Sequence, residues 1–226
     1  MNYDLGEMKL REVNQALHSL SEGDSSEPIH INNPRGAHAV ACGLQVPVSI
    51  EIEGHVGYYC AGMNQEAQVT IHGNAGTGVA ENMMSGIVRV KGSASQSAGA
   101  TAHGGLLIIE GDASARCGIS LKGADIVVQG SVGHMSAFMA QAGRMVICGD
   151  AGEALGDSIY EARLYVRGNV ASLGADCVEK EMRDEHKAEL LELLTKANFP
   201  TSIDGFRRYG SARNLYSFKV TNASIY

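Results

Sequence analysis

The chain has no tryptophan, and its 226 residues include only four phenylalanines and eight tyrosines. A core built on large rings is therefore excluded, and the interior must be filled by small and branched aliphatic side chains. No stretch reaches the ~18 consecutive apolar residues that a membrane-crossing helix needs. The N-terminus, starting Met1-Asn2-Tyr3-Asp4, lacks the basic and apolar regions of a secretion signal, so a cytoplasmic location is expected. Cys42, Cys60, Cys117, Cys148 and Cys177 are odd in number and form no C-x-x-C pair, which suits reduced structural thiols rather than a disulfide framework. A net charge of −7 gives no general attraction to nucleic acid or anionic membrane.

What the chain does have is glycine, in a strict order. Gly54, Gly73, Gly92, Gly111, Gly130, Gly149 and Gly168 follow one another at intervals of 19 residues. Periods of this size mark stacked repeat architectures. Four residues before each glycine stand Ile50, Val69, Val88, Leu107, Ile126, Met145 and Leu164; two before it stand Ile52, Ile71, Val90, Ile109, Val128, Ile147 and Val166. Apolar alternation at period two over so short a run predicts a β-strand with one buried face. The column between them begins polar at Glu51, Thr70 and Arg89 and turns apolar at Ile108, Val127, Val146 and Tyr165, an outer stripe that needs a cover. Small residues recur seven after each glycine, from Ala61 to Ala175, and six before it, where they suit tight corners. Short polar residues directly after the glycine (Asn74, Ser93, Asp112 and their equivalents) suit turns that cap local backbone.

Nineteen residues is too short for a strand–helix–strand unit, which needs about 30 or more. The expected fold is all-β: a single-stranded right-handed parallel β-helix of about seven to eight coils, with short helical extensions at both ends. Ile29 and Ile31 fit the strand columns as an imperfect first coil containing a small insertion. Three segments follow: an N-terminal helical cap and linker over 1–26, the β-helix over 27–178, and a C-terminal helix with a docking tail over 179–226. Leu10, Val13, Leu17 and Leu20 form one helical stripe that caps the first coil. The charged stretch 179–197, ending in a cluster of leucines, predicts a second helix; this helix, the tail or another subunit would cover the outer stripe, a cover from the chain itself being favoured.

The chain carries no catalytic signature. The eight histidines form no H-x-x-x-H or H-E-x-x-H motif, there is no G-x-x-x-x-G-K-[ST] loop, and there is no G-x-S-x-G elbow. The glycines of Gly73-Asn74-Ala75-Gly76-Thr77-Gly78 belong to coil corners. No residue is singled out as catalytic, cofactor-binding or metal-binding. The tail is different. It gathers six of the twelve aromatics together with Arg207, Arg208, Arg213 and Lys219, a composition that suits interface anchors. Phe206, Arg207, Arg208, Tyr209, Arg213, Tyr216 and Phe218 are the candidate partner-docking residues, the alternative being that the tail folds back on its own chain.

The strand-and-glycine unit, as in Gly86-Ile-Val-Arg-Val-Lys-Gly92, Gly105-Leu-Leu-Ile-Ile-Glu-Gly111 and Gly143-Arg-Met-Val-Ile-Cys-Gly149, resembles the GXGXG β-helix domain at the C-terminus of the glutamate synthase large subunit. The resemblance covers about 27–178. As a separate chain it is similar to the stand-alone subunits of split glutamate synthases and of N-methylglutamate synthase, and more distantly to one of the subunits of formylmethanofuran dehydrogenase. The tail Arg208-Tyr209-Gly-Ser-Ala-Arg213-Asn-Leu-Tyr216 is similar to the tails of these stand-alone proteins. The family implies a non-catalytic brace within a hetero-oligomer. Its partners would be a class II amidotransferase-like subunit and a synthase subunit carrying FMN and an iron–sulfur cluster, with no cofactor on this chain. Of these, the resemblance is read first as implying N-methylglutamate synthase, used in methylamine metabolism. A free-standing β-helix acyltransferase and a generic interaction module are the competing readings. The acyltransferase class has coils of about 18 residues built from hexapeptides, a pattern missing here.

Overall fold

A computed structural model of the chain describes residues 1–24 and 27–214. The strands, in chain order, are β1 (Asn2–Asp4), β2 (Ile29–Asn32), β3 (Ser49–Glu53), β4 (Gln68–Ile71), β5 (Ile87–Val90), β6 (Leu106–Ile109), β7 (Lys122–Val128), β8 (Ala142–Ile147), β9 (Arg163–Val166), β10 (Cys177–Lys180) and β11 (Arg207–Ser211). Two helices, α1 (Leu10–His18) and α2 (Asp184–Ala197), accompany them among the described residues.

Strands β2 to β9 stack in parallel, each pairing with the next, to form a β-solenoid. The register repeats the sequence period: Val69 lies beside Val88, and Val88 beside Leu107. Both apolar columns are buried throughout the stack, from Ile50 and Ile52 to Leu164 and Val166. The first coil is present as expected, with Ile29 beside Ile50 and Ile31 beside Ile52. Rungs about 4.8 Å apart give a β2–β9 stack of roughly 34 Å.

The corners explain the small residues. Three positions per coil sit in the left-handed region: five after the glycine (Tyr59, Gly78, Ser97, Arg116, Met135, Ala154), seven after (Ala61, Ala80, Gly99, Gly118, Ala137, Gly156) and nine after (Met63, Asn82, Thr101, Ser120, Met139, Ser158). Such conformations cost of order 1–3 kcal/mol each for non-glycine residues and persist only where the surroundings over-determine them. Here the inter-coil ladder does so. The Tyr59 N–H donates to Thr77 O at 2.9 Å in the next coil, Ala80 N–H to Cys60 O at 2.9 Å in the preceding coil, and Met63 N–H to Glu81 O at 2.8 Å in the next. Alternate left-handed residues thus send their N–H groups up and down the stack.

The anchor glycines serve a different purpose. Gly54 has a left-handed φ of +133°, but Gly73 to Gly168 do not share it. At Gly111 an added Cβ would lie 2.8 Å from Gly92 O, and at Gly149 2.6 Å from Gly130 C. The column is glycine because successive backbones approach too closely for any side chain. The polar residues after the anchors also differ from expectation. They cap the next coil rather than their own turn: His55 Nδ1 accepts from Asn74 N–H at 2.9 Å, Asn74 Oδ1 from Ser93 N–H at 2.8 Å, Ser93 Oγ from Asp112 N–H at 3.1 Å, and Asp112 Oδ1 from Ser131 N–H at 2.7 Å. Ser131 Oγ and Asp150 Oδ1 extend the ladder to Asp150 and Asn169.

Both ends are closed. Val13 and Leu17 of α1 are fully buried on the inner core, with Leu10 and Leu20 packed beside them. Asn14 Nδ2 donates to Ala39 O at 2.8 Å while its Oδ1 accepts from Ala41 N–H at 3.1 Å, replacing the coil that is not there. Strand β1 adds a parallel rung below β2. The second helix begins later than 179, because Cys177–Lys180 is strand β10 and α2 starts at Asp184. Its Leu190, Leu193, Leu194 and Ala197 bury against Ile108, Val127, Val146 and Tyr165, forming a second core outside the solenoid. Where the stripe turns polar the cover stops: Arg89 donates to the Ala197 carbonyl at 2.9 Å, at the helix C-terminus where a cation is favoured, and pairs with Glu110 at 2.8 Å.

Candidate functional site

The candidate docking residues lie on the segment after α2. Strand β11 enters the sheet between β9 and β10, antiparallel to both, occupying the place of a next rung. Tyr209 sits beside Leu164 and joins the inner core, 2% exposed. Phe206, 8% exposed, joins the outer core with Phe199, and Arg167 lies over its ring at 5.6 Å. Both aromatics are therefore packed inside this chain. This is the fold-back alternative for these two side chains, and it follows from the need to cover the last coil.

The arginines keep part of their surface. Arg207 is exposed; it donates to Gly168 O at 2.9 Å and lies over the Tyr209 ring at 5.8 Å. Arg208 is half-buried, with its Nε donating to Glu181 O at 2.9 Å. Arg213 pairs with Glu161 at 3.1 Å. Tyr216 and Phe218 lie outside the described residues. Asp176 fixes the segment's end, accepting from Ser211 Oγ at 2.6 Å and from Asn214 N–H at 3.0 Å.

The structure adds residues that the tail alone did not reveal. Arg163, Lys180 and Arg183 line the same cleft as Arg208 and Arg213, between the last coil, the β10–β11 pair and the start of α2. His186 also lines it and accepts the Arg183 N–H at 3.2 Å on Nδ1. Burial first, then the Arg208 cation, holds this imidazole below its ordinary pKa. Nearby, Glu189 binds two outer-face residues, Arg163 at 2.9 Å and the Tyr165 hydroxyl at 2.6 Å. Lys180 and Arg183 were not legible as site residues because the antiparallel β10–β11 pair brings them to Arg208 from far away in sequence.

Cys42 and Cys60 lie near each other at the first coils, and Cys117, Cys148 and Cys177 follow further along the rod. Cys60 and Cys117 are buried three coils apart, about 14 Å at the rung spacing. Burial pushes the Cys117 thiol up to about 12 and raises that of Cys60 further. Among the described residues no group of three or more His, Cys, Asp or Glu side chains is placed to hold a metal ion, and no helix is long and apolar enough to cross a membrane.

No protein-family model matches the chain. Protein GlxC of Rhizobium meliloti (strain 1021) is 59% identical over 224 residues, covering 99% of this chain and 98% of that protein. The chain belongs to the GlxC family. The likeness is not confined to the glycine repeat, because so complete a match includes both helices and the β10–β11 cap.

Proposed function

We propose that this chain is the non-catalytic β-helix subunit of a heteromeric glutamate synthase-like complex. The observation that carries the reading is the glycine-anchored 19-residue coil, repeated without interruption from Gly54 to Gly168, with the residues facing inward given over to packing. Similarity to GlxC along both proteins supports a glutamate synthase-related subunit. Within that class N-methylglutamate synthase is the preferred assignment: glutamate and methylamine give N-methylglutamate and ammonia. The alternatives are a split glutamate synthase, which uses glutamine and 2-oxoglutarate, and a complex of the formylmethanofuran dehydrogenase type.

In this reading the amidotransferase-like partner handles the amide or amine donor, and the synthase partner carries FMN and the iron–sulfur cluster. The cysteines here suit that division. An iron–sulfur cluster is held by convergent thiolates, whereas here Cys42 lies near Cys60 but Cys117 is three coils away, and burial holds Cys60 and Cys117 in the thiol form. The solenoid's contribution is rigidity. A rod pinned at every rung by backbone and side-chain bonds holds two partner active sites at a fixed separation, so that ammonia or methylamine passes between them with little loss to water.

The test is co-expression with the two partner subunits, followed by assays with methylamine plus glutamate and with glutamine plus 2-oxoglutarate. The reading expects turnover only from the full complex, with flavin and iron on the partners, and product formation identifies the reaction. Turnover by the purified chain alone, or unchanged turnover when it is omitted, would overturn the assignment.

A further inference from the structure

On a chain of net charge −7, five cations line one cleft of about 450 Å³: Arg163, Lys180, Arg183, Arg208 and Arg213, with Glu161 the single carboxylate on its lining. Several of these charges are already paired. Glu189 holds Arg163 at 2.9 Å, Glu181 and Glu185 hold Arg183 at 3.1 and 3.7 Å, and Glu161 holds Arg213 at 3.1 Å. Two are not. Among the described residues neither Arg208 nor Lys180 has a carboxylate within ion-pair distance, and the terminal NH groups of Arg208 make no hydrogen bond. Five cations thus face four carboxylates, Glu161, Glu181, Glu185 and Glu189, and the unmatched positive charge rests on Arg208 and Lys180. The start of the 14-residue α2 contributes Arg183 and His186 to the same lining, with the positive pole of its dipole offset by Asp184 and Glu185 in the first turn.

The cleft continues into a shallow depression. Tyr160 and Glu161 line both, and Met139 and Gln141 complete the neighbouring surface from the preceding coil. Met139 and Tyr160 are each 40% exposed; Tyr58, Met63 and Met84 are also exposed elsewhere on the rod, but only Met139 and Tyr160 border the cationic cleft. An arginine-rich floor beside exposed Met and Tyr is the chemistry of a protein interface, where aromatic, Met and Arg residues are enriched. A free metabolite would find no enclosure here, whereas a polypeptide lying across both surfaces would cover them together.

We infer that this face docks an acidic segment of a partner protein, with its carboxylates on Arg208 and Lys180 and an apolar side chain on Met139 and Tyr160. The inference rests on the reading that the chain works inside a complex, and it names the chemistry of the contact. Arginine supplies the bidentate fork that carboxylates match, and Lys180 adds a point charge at the rim.

The experiment uses the full-length chain and a fluorescently labelled twelve-residue peptide of alternating Asp and Glu with one central Leu, followed by polarisation. Saturable binding is expected, weakened about tenfold or more between 50 and 300 mM salt as screening increases. The Lys180→Glu/Arg183→Glu double substitution should weaken it at least tenfold, and Tyr160→Ser several-fold. Lys122→Glu, elsewhere on the rod, should leave it unchanged. If the double variant melts below the native chain, Arg213→Ala, at an exposed position, provides the second reading and should weaken binding several-fold. Equal affinity for a Lys-substituted peptide, or indifference to every cleft substitution, overturns the inference. So does displacement of the peptide by free citrate or glutamate at peptide-like concentrations, which would make this a small-anion site. Because no partner subunit is required, failure here leaves the assembly of the complex to be judged by its own assay.

Discussion

Replacing Gly130 with alanine tests why the anchor column is glycine. Gly130 has no left-handed φ, so alanine is not excluded by conformation. The obstacle is contact: a Cβ there would meet Asp112 Oδ1 and would lie 2.7 Å from Gly111 O and 2.9 Å from Gly111 C. The backbone atoms cannot rotate away, so the rungs must separate, and Asp112 loses its 2.7 Å bond from Ser131 N–H. Over-packing of this kind costs about 1–3 kcal/mol, and a hydrogen bond to a charged group adds about 1.5–3 kcal/mol. A loss of about 3 kcal/mol corresponds to a Tm fall of about 6–12 °C for a chain of this size. Gly36→Ala is the internal comparison. Its φ of +74° is left-handed, but nothing lies within 4 Å of the added Cβ. It should cost only the left-handed strain of about 1–2 kcal/mol. Thermal unfolding of both variants, with hydrogen exchange at the Ser131 amide, checks the ranking. The reasoning is refuted if Gly130→Ala melts at or above Gly36→Ala, or if Ser131 exchange is unchanged.

Three further outcomes follow from the packing. Leu193→Ala, fully buried between α2 and the outer stripe, should cost about 2–5 kcal/mol in denaturant unfolding, while Leu191→Ala, 44% exposed on the same helix, should stay within about 0.5 kcal/mol of the native chain. Thiol titration of the native protein should label Cys42 first, since Cys60, Cys117, Cys148 and Cys177 are buried, with all five reacting after denaturation. Because its folded pKa is depressed, His186 contributes stability that is fully present above its unfolded pKa of about 6.5 and is lost as pH falls through the lower folded value; unfolding midpoints between pH 7 and 5 should fall more steeply for the native chain than for His186→Gln.

The repeat made much of this architecture legible in advance, because a 19-residue period ties each local choice to the same place in every coil. Ile50, Val69 and Val88 declare an inward column, and the change from Arg89 to Ile108 marks where the outer face gains a cover. The left-handed corners were only partly legible. Small residues mark the position seven after the glycine, but Tyr59, Arg116, Met63 and Met139 hold the same conformation without compositional signal, because inter-coil hydrogen bonds impose it. The polar column after the glycines was visible as a pattern, yet its bonds cross to the next coil, and spacing alone does not show that. The candidate site was least legible. Phe206 and Tyr209 have the composition of docking anchors, and the same composition serves to close the last coil. The cationic cleft depends on β11 passing between β9 and β10, a pairing between distant segments that no local pattern encodes.

Native mass spectrometry of the tagged chain isolated from its own cells puts the scaffold reading most directly at risk. The account predicts one assembly containing this chain, an amidotransferase-like subunit and a flavin- and iron-bearing synthase subunit, with no cofactor mass on this chain when the assembly is dissociated. A cofactor-laden or catalytically active chain recovered without those companions would contradict it.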